Sequence, residues 1–185
     1  MSGAGDAWEQ VARAADRFYA DVLSRLRGGR LEGRASNIFY SALVGRAVSR
    51  QSSLERTVVT LLGYHAPEFF KPFFRDVRPL PAPFDFYGVL RGAEYYVKVV
   101  SGGDAFNKVT EEYVADCSTQ YESPIILTLQ GPYFEARWVG RAPWLSAPAS
   151  WKLVAGPGAY ARFRGIVFEA ARRYRGEVWE LLRGE

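Results

Sequence analysis

Cysteine, histidine and methionine occur once each in these 185 residues, as Cys117, His65 and Met1. A single cysteine excludes an intrachain disulfide. One cysteine and one histidine exclude a zinc centre built from those ligands within the chain. A Cys–His catalytic pair would have to join Cys117 to His65, which are distant in sequence, so Cys117 reads as a packed thiol. His65, ahead of a proline-rich stretch, reads as a satisfied loop residue rather than a base. No apolar stretch reaches the length of a membrane span, and no apolar run near the N-terminus precedes a cleavage-type sequence. The expectation is a cytoplasmic protein with no membrane partner. No glycine-rich phosphate loop, serine-centred nucleophile elbow or histidine cluster appears, which weighs against an enzyme acting on small substrates. Asparagine is scarce too while arginine is abundant, a composition compatible with a thermophile.

What is present points to a folded core. Hydrophobic residues make up 48% of the chain and aromatics 15%, far from the composition of disorder. The length suits one domain spanning 1–185. A net charge of +4 and a pI near 9.3 are compatible with a nucleic-acid partner without requiring one.

Apolar periodicity predicts a helix from Asp6 to Arg27, with Trp8, Val11, Ala15, Phe18, Val22 and Leu26 on its buried face. It predicts a second from Ser36 to Val48 and a third from Ser52 or Ser53 to Gly63. His65 to Pro83 reads as a proline-rich connection in which Phe69, Phe70, Phe73 and Phe74 form a short capping turn. Beyond Gly102, a helix is expected from about Ala105 to Ser118. Ile125 to Gln130 is almost wholly apolar, the signature of a strand buried on both faces, with Gln130 ending it. Tyr133 to Val139 reads as a further strand, Ala149 to Val154 as a short helix and Gly158 to Arg183 as a long amphipathic one. Trp138, Trp144 and Trp151 read as packing residues. This order implies an α/β fold of the α+β type, a central mixed β-sheet flanked by helices.

Between the connection and Gly102 lies the most informative stretch. Phe84 to Leu90 and Glu94 to Val100 are rich in aromatic and β-branched residues and flank Arg91-Gly92-Ala93, which predicts a β-hairpin. Asp85 and Lys98 interrupt its apolar run. An ionised group on a core strand costs several kcal/mol unless it is paired or used. A loop of two or four residues puts Asp85 and Lys98 on one face, whereas a three-residue loop pairs Asp85 with Val99. Side by side, an acid and a lysine can hold a divalent metal and orient a water, as phosphodiester hydrolysis requires.

The hairpin, Asp85 and the strand ending in Lys98 resemble the PD-(D/E)XK nuclease superfamily, which includes most type II restriction endonucleases. The likeness covers Pro83 to Gly102 closely and Ser52 to Gln130 more loosely, so that 51–140 would be the nuclease-like core, 1–50 N-terminal helices and 141–185 a C-terminal helical segment. The family's strand acid would fall at position 96, where this chain has Tyr96. In this the chain resembles a subgroup that cuts CCGG-type sites and moves the acid to the following helix. Glu111 stands at that spacing, and the Ser101-Gly102…Asn107 segment resembles the one that follows the lysine in such enzymes. Glu55 resembles the family's helical glutamate. The resemblance implies a Mg²⁺-dependent, sequence-specific DNA endonuclease acting on double-stranded DNA as a homodimer. Asp85, Glu111 and Glu55 would be its metal-side acids and Lys98 its catalytic lysine. A second register lays Tyr95 to Gly102 on the motif so that Lys98 takes the acid's place and Val100 the lysine's. That register implies a catalytically inactive DNA-binding or structural protein on the same fold.

Asn107, Lys108, Arg137, Arg141 and Lys152 are the candidates for DNA contact. Arg162, Arg164, Arg172, Arg173 and Arg175 make the last helix basic, either as a solvated face or toward phosphate.

Overall fold

The computed structural model describes residues 4–27, 39, 52–102 and 108–183. In chain order the described elements are α1 (Ala4–Arg27), α2 (Ser52–Phe70), a 3-10 turn (Lys71–Phe73), β1 (Arg75–Pro79), β2 (Phe86–Leu90), β3 (Ala93–Val100), α3 (Lys108–Ser118), β4 (Pro124–Thr128), β5 (Arg137–Val139), β6 (Ala142–Leu145), α4 (Ala147–Ala155) and α5 (Ala159–Arg183). The expected class is observed: a six-stranded mixed sheet with helices. Two compact units are distinguished, Met1–His65 together with Ala161–Glu185, and Ala66–Tyr160.

In the first unit the apolar stripe of α1 is buried as its spacing requires, from Trp8 through Val11, Ala15, Phe18 and Val22 to Leu26. Phe18 meets Phe39 edge-on at 4.9 Å, and the buried Tyr19 hydroxyl donates to the Phe39 carbonyl at 3.0 Å. The helix expected over Ser36–Val48 lies outside the described residues apart from Phe39, which is helical. His65 is not a loop residue. It lies within α2, its Nε2 2.8 Å from Asp21.

The second unit holds the sheet, in the order β1-β2-β3-β4-β6-β5. β1, β2 and β3 are antiparallel neighbours, whereas β4 runs parallel to both β3 and β6. The parallel step from β3 to β4 is bridged by α3, as a crossover demands. β4 is buried along its whole length, matching its continuous apolar sequence. On one face Phe84, Val100, Val114, Ile126, Val139, Ala142 and Trp144 form a closed apolar cluster that includes α3. Elsewhere Phe70 packs on the fully buried Trp151 of α4 at 4.6 Å, and the Trp151 indole donates to the Leu129 carbonyl at 2.9 Å.

Three boundaries differ from expectation. α2 continues through Gly63 and Pro67 to Phe70, because Phe69 and Phe70 are fully buried and packing overrides the proline's local cost. The connection after it contains β1, an all-exposed edge strand whose lack of apolar alternation hides it from a periodicity reading. The strand expected over Tyr133–Val139 is only Arg137–Val139, and β6 follows after a two-residue turn. No helix among the described residues is long and apolar enough to cross a membrane.

Candidate functional site

The hairpin closes through a two-residue loop, since Leu90 pairs with Ala93. Arg91 and Gly92 both take positive φ, at 52° and 87°, the left-handed pair that matches the twist of the flanking strands. That loop settles the face question. Tyr87 faces Tyr96 and Phe86 faces Val97, and one step further Lys98 Nζ donates to Asp85 Oδ1 at 3.1 Å.

Asp85 is also a structural junction. Its N–H donates to the Val97 carbonyl at 2.8 Å, and its own carbonyl accepts from Leu80 N–H at 3.3 Å. Its Oδ2 accepts the Val99 N–H at 2.6 Å. The side chains of Lys98 and Asp85 keep 20% and 23% of their exposure, so the pair is recessed yet reachable by solvent.

Tyr96 is held as an aromatic. Its ring stacks on Tyr121 at 4.4 Å and meets Tyr87 edge-on at 5.4 Å. The Tyr87 hydroxyl is held above its ordinary pKa, first by desolvation and then by its hydrogen bond with Glu94. Val100, the lysine position of the second register, is buried in the apolar cluster.

The remaining candidates are dispersed. Glu111 is exposed in the first turn of α3, and among the described residues no hydrogen bond or ion pair joins it to Asp85 or Lys98. Glu55 lies in α2, with its side chain outside the described set, as is Asn107 entirely. Lys108 is exposed and sits 3.8 Å from Glu112 along the same helix. Lys152 projects from α4 into solvent.

Arg137 lies over two rings, Phe134 and Trp144, at 4.9 Å from each centroid. Arg141 is exposed, and its main-chain N–H donates to Ser118 Oγ at 2.8 Å. Trp138 is not a packing residue: it is 70% exposed. Strand alternation from the core residue Val139 would have exposed it to view, since neighbours on a strand face opposite ways.

The basic α5 is engaged by its own protein at several positions. Arg173 pairs with Asp16 at 2.9 Å, Arg172 with Glu169 at 2.9 Å, and Arg162 lies over the Trp8 ring at 4.6 Å. Glu177 of the same helix pairs with Arg27.

For a divalent metal the donor chemistry is available at Asp85. Each carboxylate oxygen carries a lone pair beyond its present partner. Magnesium commonly takes one or two protein carboxylates with waters and substrate phosphates. Among the described residues no three of His, Cys, Asp and Glu gather into a metal-binding group. Comparison with family models, with curated proteins and with solved structures finds no match for this chain.

Proposed function

We propose that this chain is a Mg²⁺-dependent DNA endonuclease of the type II restriction kind, hydrolysing phosphodiester bonds in double-stranded DNA as a homodimer. The observation that carries the reading is the Asp85–Lys98 pair, 3.1 Å apart and partly open to solvent, on the hairpin that feeds a helical crossover. An acid and a lysine so placed suit the polyanionic transition state of phosphoryl transfer, in which charge must be neutralised and a water aimed.

Asp85 would hold the metal, with Glu111 as the second carboxylate and Glu55 assisting. When bound, the metal supplies Lewis-acid polarisation and a more acidic water. Lys98 carries the other duty: its ammonium holds the attacking water or balances charge on the scissile phosphate. Tyr96 cannot replace an acid, so the reading depends on Glu111 for its second carboxylate.

A second reading has its own support. Both Asp85 oxygens already serve Lys98 and the Val99 backbone, and Tyr96 is stacked on Tyr121 where an acid would stand. On that basis the pair would be a structural device in a non-catalytic DNA-binding or structural protein.

Plasmid DNA incubated with the protein and Mg²⁺, with and without chelator, separates the two. Discrete fragments that vanish with chelator and with Lys98→Ala, in a variant whose circular dichroism is unchanged, support the endonuclease. Cutting retained by Lys98→Ala sinks it, and DNA binding without any cutting favours the second reading.

A further inference from the structure

The edge strand β1 turns two arginines to one side of the sheet. Arg75 pairs with Val89 and Arg78 with Tyr87, so Asp76 and Val77 together oppose the single residue Gly88. Two residues against one make a β-bulge, in which Asp76 takes a φ of 53°. In a regular strand residues three apart face opposite ways. Here the bulge brings Arg75 and Arg78 to the same face, because directly opposed residues of an antiparallel pair share a face. That face is the more open one of β2: Phe86, Gly88 and Leu90 are buried on the other, alternating with the half-buried Tyr87 and Val89. It is also the face of the Asp85–Lys98 pair. Tyr96 lies opposite Tyr87, Lys98 is two residues beyond Tyr96 on β3, and its ammonium holds Asp85. Arg75, Arg78 and Lys98 thus stand at successive two-residue stations along one face, each step about 7 Å.

Neither arginine is consumed inside the protein. Both are exposed, and among the described residues no carboxylate pairs with either. Glu94, opposite Val89 on this face, is engaged by the Tyr87 hydroxyl. The Arg78 guanidinium lies over the Tyr87 ring, 5.9 Å from its centroid, and that ring is braced edge-on by Tyr96, itself stacked on Tyr121. A ring face steadies the cation without using an N–H, so all five donors remain for an oxygen ligand. Protection of an exposed edge is served by charge on either face, so it does not account for a bulge that gathers both arginines beside Asp85 and Lys98.

We propose that Arg75 and Arg78 take backbone phosphates of the duplex whose scissile phosphodiester lies at Asp85 and Lys98, so that the DNA backbone runs along β1. The choice of ligand rests on the endonuclease reading. A guanidinium meets phosphate oxygens through paired N–H donors, and cations repeated along one face suit a ligand whose charge repeats along its length.

Salt-dependent binding tests this. A short mixed-sequence duplex is titrated onto the full chain in chelator, which prevents cleavage, at several salt concentrations. Arg75→Gln and Arg78→Gln should each lower the salt slope by about one and together by about two, with binding weakened about tenfold or more at ~0.1 M salt. Arg75→Lys with Arg78→Lys keeps both charges and should keep the slope, which a merely structural role would not require. Arg13→Gln removes an exposed arginine of α1 that pairs with Glu9, and should leave the slope unchanged. A double glutamine variant with the wild-type slope overturns the proposal. So does an equal loss of slope in Arg13→Gln, poly-glutamate competing as well as the duplex, or no duplex binding by the wild type. Duplex binding with the expected loss of slope but no Mg²⁺-dependent cleavage leaves this phosphate track standing and removes only the nuclease. Cleavage by a protein whose salt slope ignores both arginines does the reverse.

Discussion

The carboxylate of Asp85 accepts the Val99 main-chain N–H at 2.6 Å. β2 begins at Phe86, so β3 runs on past the end of its hairpin partner. At Val99 the acid stands in for the strand carbonyl that is missing there. The same side chain also takes the Lys98 ammonium.

That double use predicts a stability cost that catalysis alone would not impose. Asp85→Ala should lower the unfolding free energy by about 2 kcal/mol, since hydrogen bonds to an ionised group are worth about 1.5–3 kcal/mol. Asp85→Asn keeps an acceptor for the Val99 N–H and should cost roughly half as much. Urea unfolding of the three proteins measures this. An Asp85→Ala chain as stable as wild type would mean that the acid has no structural duty.

Lys98 should behave differently. Its pair with Asp85 keeps only about a fifth of its exposure, and Asp85 retains the Val99 N–H when the ammonium is removed. Lys98→Met should cost about 1.5 kcal/mol, the lower end for a hydrogen bond to a charged group. If the endonuclease reading holds, the same variant should lose cleavage by about 100-fold or more, a loss typical of removing a group that meets developing charge. A parallel assay of melting and plasmid cleavage reads both. Loss of cleavage only in proportion to loss of folded protein would assign Lys98 to structure.

Much of this arrangement was legible in the sequence, for physical reasons. The hairpin was visible because β-branched and aromatic residues surround a glycine turn, and Asp85 with Lys98 was visible because charge on a core strand is costly. The register was not, because Arg91 can take positive φ and so shortens the loop to two residues, which composition does not reveal. β1 was hidden because an exposed edge strand has no alternating pattern. Local propensity weakens at Gly63 and suggests an end to α2 there, whereas burial of Phe69 and Phe70 carries the helix onward. Tyr96 was a gap in a motif; its stacking on Tyr121, far along the chain, is a tertiary fact. Glu111 was placed by spacing alone, and it projects into solvent.

Gly140 tests how firmly the β5–β6 hairpin is held. Its φ of 58° disfavours any other residue, and an added Cβ would overlap the α3 backbone at Ala115. Gly140→Ala should destabilise by about 2 kcal/mol or more, combining backbone strain with overpacking. Thermal unfolding followed by circular dichroism measures the loss. A variant that melts with the wild type would show that the turn can lift from α3.

Tyr19 predicts how the first unit responds to alkali. The side chain is fully buried, and burial raises its hydroxyl pKa well above 10.0, with the charge of Arg175 pulling the other way. A raised pKa in the fold means that the folded chain keeps its proton when the unfolded chain releases it. The contribution is therefore complete below pH ~10 and declines as pH rises from there toward the folded value. Tyr19→Phe removes the titrating group together with the hydrogen bond to the Phe39 carbonyl. At neutral pH the variant should be less stable by about 1 kcal/mol. Above pH ~10 its stability should fall less steeply than that of the wild type, so the two curves converge. Unfolding by urea at a series of pH values measures both, and other tyrosines and lysines contribute equally to the two proteins. Curves that stay parallel through the alkaline range would show that Tyr19 ionises no less readily in the fold than in the unfolded chain.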